Sequence, residues 1–286
     1  MAALGRSYSQ IHGNIRPTLW RSDAGAPLRE VKLLRELFGG GRGITMDGLV
    51  ATPQAFLATG GYLGPDDNVA VHVWRSTNGR DWVRLPPGRA QSSTPAEQLL
   101  PRDIAAGGAG SLLVGTSFRV TGDAGFDGAA WYAPAAARQW QRVYLSGTGL
   151  ADGGDQRLLA AAPLGDGYVA VGAVGSGGGF QLRSAVSRDG VRWSAGGPLS
   201  GQPLPAGTPP AADITSLPGG GVVAGTAARG LTELWASPDG RSWTPEMVPG
   251  RADRANGVVL GASPDRLVMA VHTPAGPQLR RGRRTR

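Results

Sequence analysis

The sequence predicts an all-β fold, a β-propeller of four-stranded antiparallel blades, about five blades with the last closed by N- and C-terminal halves. Three observations carry this reading. A Trp-bearing stretch recurs along the chain. Each copy is preceded by a pair of short apolar runs. The chain opens and closes on complementary fragments of the repeating unit.

The clearest copies read Ser76-Thr77-Asn78-Gly79-Arg80-Asp81-Trp82, Ser187-Arg188-Asp189-Gly190-Val191-Arg192-Trp193 and Ser237-Pro238-Asp239-Gly240-Arg241-Ser242-Trp243. Trp74 and Trp235 lie just ahead of the first and last of these, Trp131 and Trp140 mark a worn copy, and Trp20 marks a fifth. All 8 Trp of the chain fall inside these copies, so chance is excluded as their origin. Asn-Gly or Asp-Gly between two apolar-patterned runs predicts a hairpin with a two-residue type I′ turn, because these residues reach positive φ cheaply. The Ser ahead of it is placed to bond the turn backbone. The two Trp of a copy are expected to face each other across the hairpin, a pairing that stabilises a sheet by roughly 0.2–1 kcal/mol.

This stretch resembles the Asp-box of bacterial neuraminidase-repeat, sialidase-like β-propellers, Ser-x-Asp-x-Gly-x-x-Trp. Here one residue is missing between Asp and Gly, so a tighter turn than the family's is expected. The resemblance covers nearly the whole chain as degenerate repeats. It implies the propeller, with the boxes on hairpins away from the functional face, and it fits enzymes and non-enzymes alike.

Ahead of each box come two apolar runs separated by a Gly-, Pro- or Asp-rich turn. The first runs are Asp47–Ala51, Asp103–Ala106, Leu158–Ala161, Asp213–Ser216 and Gly257–Leu260. The second are Phe56–Thr59, Leu112–Val114, Tyr168–Val171, Val222–Ala224 and Leu267–Val271. Such runs suit strands buried on both faces. With the two arms of the box they make a unit A-B-C-D. A C-D pair at about 18–34 precedes four full units, and an A-B pair at about 256–273 follows them. If the halves join, the ring closes without open edges. Residues 1–17 are then a lead segment, 18–273 the propeller and 274–286 a basic disordered tail. Leu28–Phe38 reads as a strand D running into a short helix.

Composition narrows the function classes. The 286 residues carry no Cys, which excludes disulfides and thiolate metal sites. The net charge is +8, but Arg280, Arg281, Arg283, Arg284 and Arg286 supply much of it, which makes the tail either silent or an electrostatic anchor. No aromatic-interleaved basic groove suggests nucleic acid, and no run approaches membrane-spanning length. Met1 to Asn14 lacks the apolar core of a signal peptide, so the chain as written reads as cytoplasmic, whereas the resemblance implies export or the cell envelope. A monomer without cofactor or metal is expected.

In a propeller the A strands line the central channel, and the D-A and B-C loops share one face. Aligning the units on strand B places Asp47, Asp103 and Asp213 together near the start of A, with Asp155 and Asn256 close in the other units. Such a ring can bind a cation or polar ligand. Equally, each Asp can cap its own strand or span to the next blade. The loop face carries Asp66, Asp67, Arg119, Asp127 and Arg229, with Phe126 and Phe180 nearby. Sialidase chemistry finds no complete set: Ile15-Arg16-Pro17 has the residue types of the family's Arg-Ile-Pro in another order, and no Tyr-Glu pair is evident. His12, His72 and His272 share no spacing. The expectation is therefore non-enzymatic recognition of a protein or glycan through the D-A/B-C face, or a scaffold role. The alternative is a sialidase-like glycoside hydrolase using two carboxylates of the ring.

Overall fold

The computed structural model describes residues 2–8, 15–22, 26–38, 42–43, 45–64, 67–120, 125–135, 139–152, 154–176, 178–199, 204, 211–228, 231–246, 255, 257–264, 266–273 and 276–283. An N-terminal sheet holds β1 (Ala2–Tyr8), β2 (Ile15–Arg21) and β3 (Arg29–Val31) in that order, and α1 (Arg35–Phe38) follows. Four antiparallel four-stranded blades come next. They are β4 (Gly48–Ala51) to β7 (Val83–Leu85), with β5 (Phe56–Leu63) and β6 (Val69–Ser76) between; β8 (Glu97–Gly107), β9 (Gly110–Arg119), β10 (Gly125–Pro134) and β11 (Gln141–Val143); β12 (Gln156–Leu164), β13 (Gly167–Ser176), β14 (Gly179–Ser187) and β15 (Trp193–Pro198); and β16 (Ala211–Ser216), β17 (Val222–Ala228), β18 (Leu231–Ser237) and β19 (Thr244–Glu246). A last sheet holds β20 (Gly257–Ala262), β21 (Arg266–Thr273) and β22 (Gly276–Arg283). The four blades follow chain order from inner strand to outer, as a propeller requires.

The core is a series of slabs between successive sheets. Leu19 packs with Phe38, Met46, Ala58 and Trp74. Val71 and Val73 meet Ile104 and Leu113. Leu112 and Val114 meet Leu158 and Ala161. Val169 and Val171 meet Ile214 and Val222. Val223 and Leu234 meet Val258 and Met269. The second strands of the four blades, β5, β9, β13 and β17, therefore bury both faces, which is why their apolar runs are continuous rather than alternating.

The seam differs from the expected shared blade. Each terminal fragment carries one strand more than its sequence suggested: β1 pairs with β2, and β22 pairs with β21. Both fragments thus satisfy their inner backbone groups at home, and among the described residues no strand of one pairs with a strand of the other. The stretches read as a lead and a basic tail supply the extra strands. They were hard to see because β22 offers a single large apolar side chain, Leu279, and that is exposed.

The box hairpins also differ in detail. Ser187 pairs with Trp193, so five residues form the connection rather than two. Within each of these boxes the Gly alone has positive φ, 71° at Gly79, 76° at Gly190 and 70° at Gly240, which excludes type I′. The acid explains the longer turn. Asp189 Oδ1 accepts the N–H groups of Val191 and Arg192 at 2.9 and 2.8 Å, while Ser187 Oγ accepts that of Gly190 at 2.9 Å. Asn78 and Asp239 repeat the arrangement with Ser76 and Ser237. These donors, the backbone N–H groups of Arg192 and Val191 foremost, hold the Asp189 carboxyl well below its usual range. The paired Trp do not face each other: Trp74 lies opposite Arg84, Trp131 opposite Arg142 and Trp235 opposite Pro245. Instead, Trp74 and Trp131 are fully buried and donate Nε1–H to the carbonyls of Leu37 and Ala90, 2.8 and 2.6 Å away in the preceding connections. Trp140 and Trp82 are buried at the box ends.

Candidate functional site

The first strands of successive blades are spatial neighbours, β4 with β8, β8 with β12, β12 with β16 and β16 with β20, so they converge on one channel wall. Pairing registers define equivalent positions along it. Asp103 lies opposite Val114 and Asp213 opposite Gly225. Opposite Val171 in the blade between them stands Ala160, and opposite Thr59 stands Gly48, which puts Asp47 one residue upstream of the shared position.

Asp103 and Asp213 make the same contacts. Asp103 Oδ1 accepts the N–H of Ile104 at 2.7 Å, and its Oδ2 accepts that of Ala161, on the next blade, at 3.0 Å. Asp213 Oδ1 accepts from Ile214 at 2.8 Å, and Oδ2 from Leu260, on the last sheet, at 2.6 Å. Each carboxylate therefore caps its own strand and spans to the neighbouring one. A β-bulge at Arg102 turns Asp103 into position. Both residues keep intermediate exposure, as channel-wall residues do.

Charging these groups is costly. Burial, then the nearby carboxylate of Asp213, and further the charge of Asp47, raise the Asp103 pKa well above an ordinary aspartate; the two backbone donors oppose the rise. Burial likewise raises Asp213, against its donors Leu260 and Ile214. Asp103 thus feels the acids of two other blades, Asp213 and Asp47, and the pair Asp103 and Asp213 holds a proton more readily than free carboxylates. Among the described residues no three His, Cys, Asp or Glu form a group able to hold a metal ion.

The other expected residues lie elsewhere. Asp155 is five residues ahead of the shared position, at the loop end of β12, where it ion-pairs with Arg157 at 3.0 Å. The shared position of this blade holds Ala160, where the second and fourth blades carry Asp103 and Asp213. Asn256, Asp66 and Arg229 fall outside the described residues. Asp67 is exposed, with φ 59°, and lies 3.7 Å from Arg42. Arg119 and Asp127 pair with each other at 3.1 Å. Beside them, Arg157 lies 4.0 Å from the Phe126 ring centre and 5.9 Å from that of Phe180, and Phe118 packs on Phe126 at 4.8 Å. Arg157 escaped the sequence reading. Its signal was the Asp155-x-Arg157 spacing, which puts both side chains on one face of a strand.

No protein-family model and no curated protein matches the chain. Solved structures do. An α-L-arabinanase from Penicillium chrysogenum matches at TM-score 0.66 and 14% identity, over 99% of this chain and 89% of that one. An α-L-arabinofuranosidase from Fusarium graminearum matches at TM-score 0.63 and 14% identity, with the same coverage. Fructan 1-exohydrolase IIa from Cichorium intybus matches at TM-score 0.50 and 13% identity, over 79% of this chain, which spans 50% of that enzyme. The chain is a β-propeller of the architecture found in these glycoside hydrolases. The Asp-box resemblance thus holds for the architecture and goes no further. The expectation of a non-enzymatic binding protein is corrected: the two propellers that match nearly the whole chain are an arabinanase and an arabinofuranosidase.

Proposed function

We propose that the protein is a glycoside hydrolase whose reaction takes place at the channel mouth between Asp47, Asp103 and Asp213. The observation that carries this reading is the influence of Asp213 and Asp47, each from another blade, on Asp103, on a propeller that resembles an arabinanase, an arabinofuranosidase and a fructan exohydrolase. Glycoside hydrolysis needs one carboxyl group to protonate the leaving oxygen and a second to act as base or nucleophile. Asp103, with its raised pKa, keeps its proton near neutrality and takes the acid role. Asp47 takes the ionised role, and Asp213 holds up the Asp103 pKa by like-charge repulsion. The row of Phe126, Arg157 and Phe180 at the loop end supplies aromatic and cationic contacts for sugar rings further along the glycan.

The test is turnover of chromogenic arabinofuranosides, arabinan, fructan and sialosides by the full chain. Arabinan or arabinofuranosides come first, given the two propellers matched over most of the chain. Asp103→Asn and Asp47→Asn should each lower kcat by about 10²–10⁴-fold in folded protein. No turnover of any of these glycans, or turnover that survives both substitutions, overturns the reading.

A further inference from the structure

A cavity opens against the first complete blade. Its volume is about 700 Å³, within the range of small-molecule sites. Tyr62, His72 and Arg84 form its inner wall, and Arg42 and Ser92 stand among the residues at its edges. Register explains the wall. Tyr62 pairs with Ala70, and His72 lies two residues further along the same strand, so both rings leave the sheet on one face.

Charge and hydrogen bonding are unbalanced here. Two arginines line the cavity, and no Asp or Glu is among its described lining residues. Arg42 lies near Asp67 at an exposed position, 3.7 Å away. Arg84 stacks its guanidinium 4.1 Å above the Tyr62 ring, with its Nη1 buried and no hydrogen-bond partner among the described residues. His72 is only 6% exposed, and its Nδ1 likewise has no partner among them. Burial, with Arg84 second, depresses the His72 pKa to about 4, so the imidazole is neutral near pH 7 and able to offer one N–H or one acceptor nitrogen. Buried polar nitrogens are nearly always satisfied in native proteins, and two on one cavity wall call for a ligand acceptor. A guanidinium stacked on an aromatic ring, with one nitrogen unpartnered, suits a carboxylate or phosphate oxygen.

We propose that this cavity binds a small oxyanion-bearing ligand of about monosaccharide size, held by the Arg84 guanidinium and hydrogen-bonded by His72. The shared chemistry is the oxyanion, and a sugar carboxylate and a free phosphate are its two sources. None of Asp47, Asp103 and Asp213 lines this cavity, so anion binding here and glycan turnover are tested, and can fail, separately.

The test is calorimetric titration of the full chain with glucuronate, inorganic phosphate and, as a neutral control, glucose. Binding of glucuronate or phosphate but not glucose is expected, and which anion binds identifies the source. Arg84→Gln should weaken that binding about tenfold or more, and Arg84→Lys less. If Arg84→Gln fails to fold, the His72 Nδ1 nitrogen resonance of the wild-type protein reports directly: it should shift on addition of the anion and stay in place with glucose. Wild-type protein that binds neither anion, binds glucose equally well, or keeps its anion affinity in folded Arg84→Gln overturns the proposal, as does an Nδ1 resonance that ignores the anion.

Discussion

Trp243 donates its Nε1–H to Ser184 Oγ across the boundary between two blades, at 3.0 Å. The same hydroxyl donates to the Gly240 carbonyl at 2.7 Å, in the box turn of the later blade. Ser184 is 1% exposed, so its hydroxyl is a buried relay joining the Trp and the turn of one blade to the sheet of the one before. Ser184→Ala leaves a carbonyl and an indole N–H without this partner. The expected cost is about 1–3 kcal/mol, read as a lower melting temperature with unchanged strand content by circular dichroism. A melting temperature equal to wild type would show that water replaces the hydroxyl at no cost.

The box glycines seat each turn on the preceding sheet, and they differ in how much room they leave. A β-carbon at 190 would lie 2.4 Å from Tyr132 Cδ2, a ring fixed in the core between blades. One at 240 would lie 2.8 Å from Val186 Cγ1 and 3.0 Å from Leu164 Cδ2. At 79 the nearest atom is Arg21 Cδ at 3.0 Å, part of a side chain able to swing away. All three also have positive φ, which strains any β-carbon. Gly190→Ala and Gly240→Ala should therefore destabilise by well over about 1 kcal/mol, and Gly79→Ala by about that much. Equilibrium urea unfolding of the three variants checks the order.

The Trp boxes and continuous apolar runs were legible because they report burial on two faces of a repeated sheet, a signal that recurs in each unit. The third strand of each terminal sheet was not, because β22 is mostly polar and its membership rests on backbone pairing, which leaves no trace in side-chain pattern. Asp103 and Asp213 were legible as a repeated acid. Asp155 misled because nearness in sequence to the expected position is not nearness in register. The Tyr62, His72 and Arg84 wall was not legible: the strands that carry it were expected, but the residue register that puts the three side chains on one face of the sheet was not.

His72 makes the fold sensitive to acid. Its pKa falls from 6.5 to about 4 because burial, and then Arg84, oppose its charge. A depressed folded value means that the unfolded chain binds the proton more readily. The stabilisation from keeping this imidazole neutral is thus full above about pH 6.5 and is lost as pH falls toward about 4, on the order of 2–3 kcal/mol in all. In His72→Gln the pH dependence of the melting temperature over this window should flatten relative to wild type. A variant with the wild-type slope would assign the acid sensitivity to other groups.

Asp103 should act in the opposite sense. Burial, then Asp213, raise its pKa, so the folded chain holds the proton more tightly than the unfolded one. Stability from this pair is present below the unfolded carboxyl value and declines as pH rises through the raised one. Asp103→Asn removes the charge but also turns an amide toward one of the two backbone donors, Ile104 or Ala161, that the carboxylate now satisfies. At about pH 4, where the wild-type group is largely protonated, only that loss registers, and the variant should melt below wild type. At about pH 8 the wild-type protein carries the repelled charge, so the gap should narrow or reverse. Melting curves of the two proteins across this range decide the matter, because titrating groups that do not interact with Asp103 cancel in the difference. A gap that does not change with pH would mean that Asp103 ionises as freely as an exposed aspartate, and its assignment as the acid of the proposed reaction would fall with it.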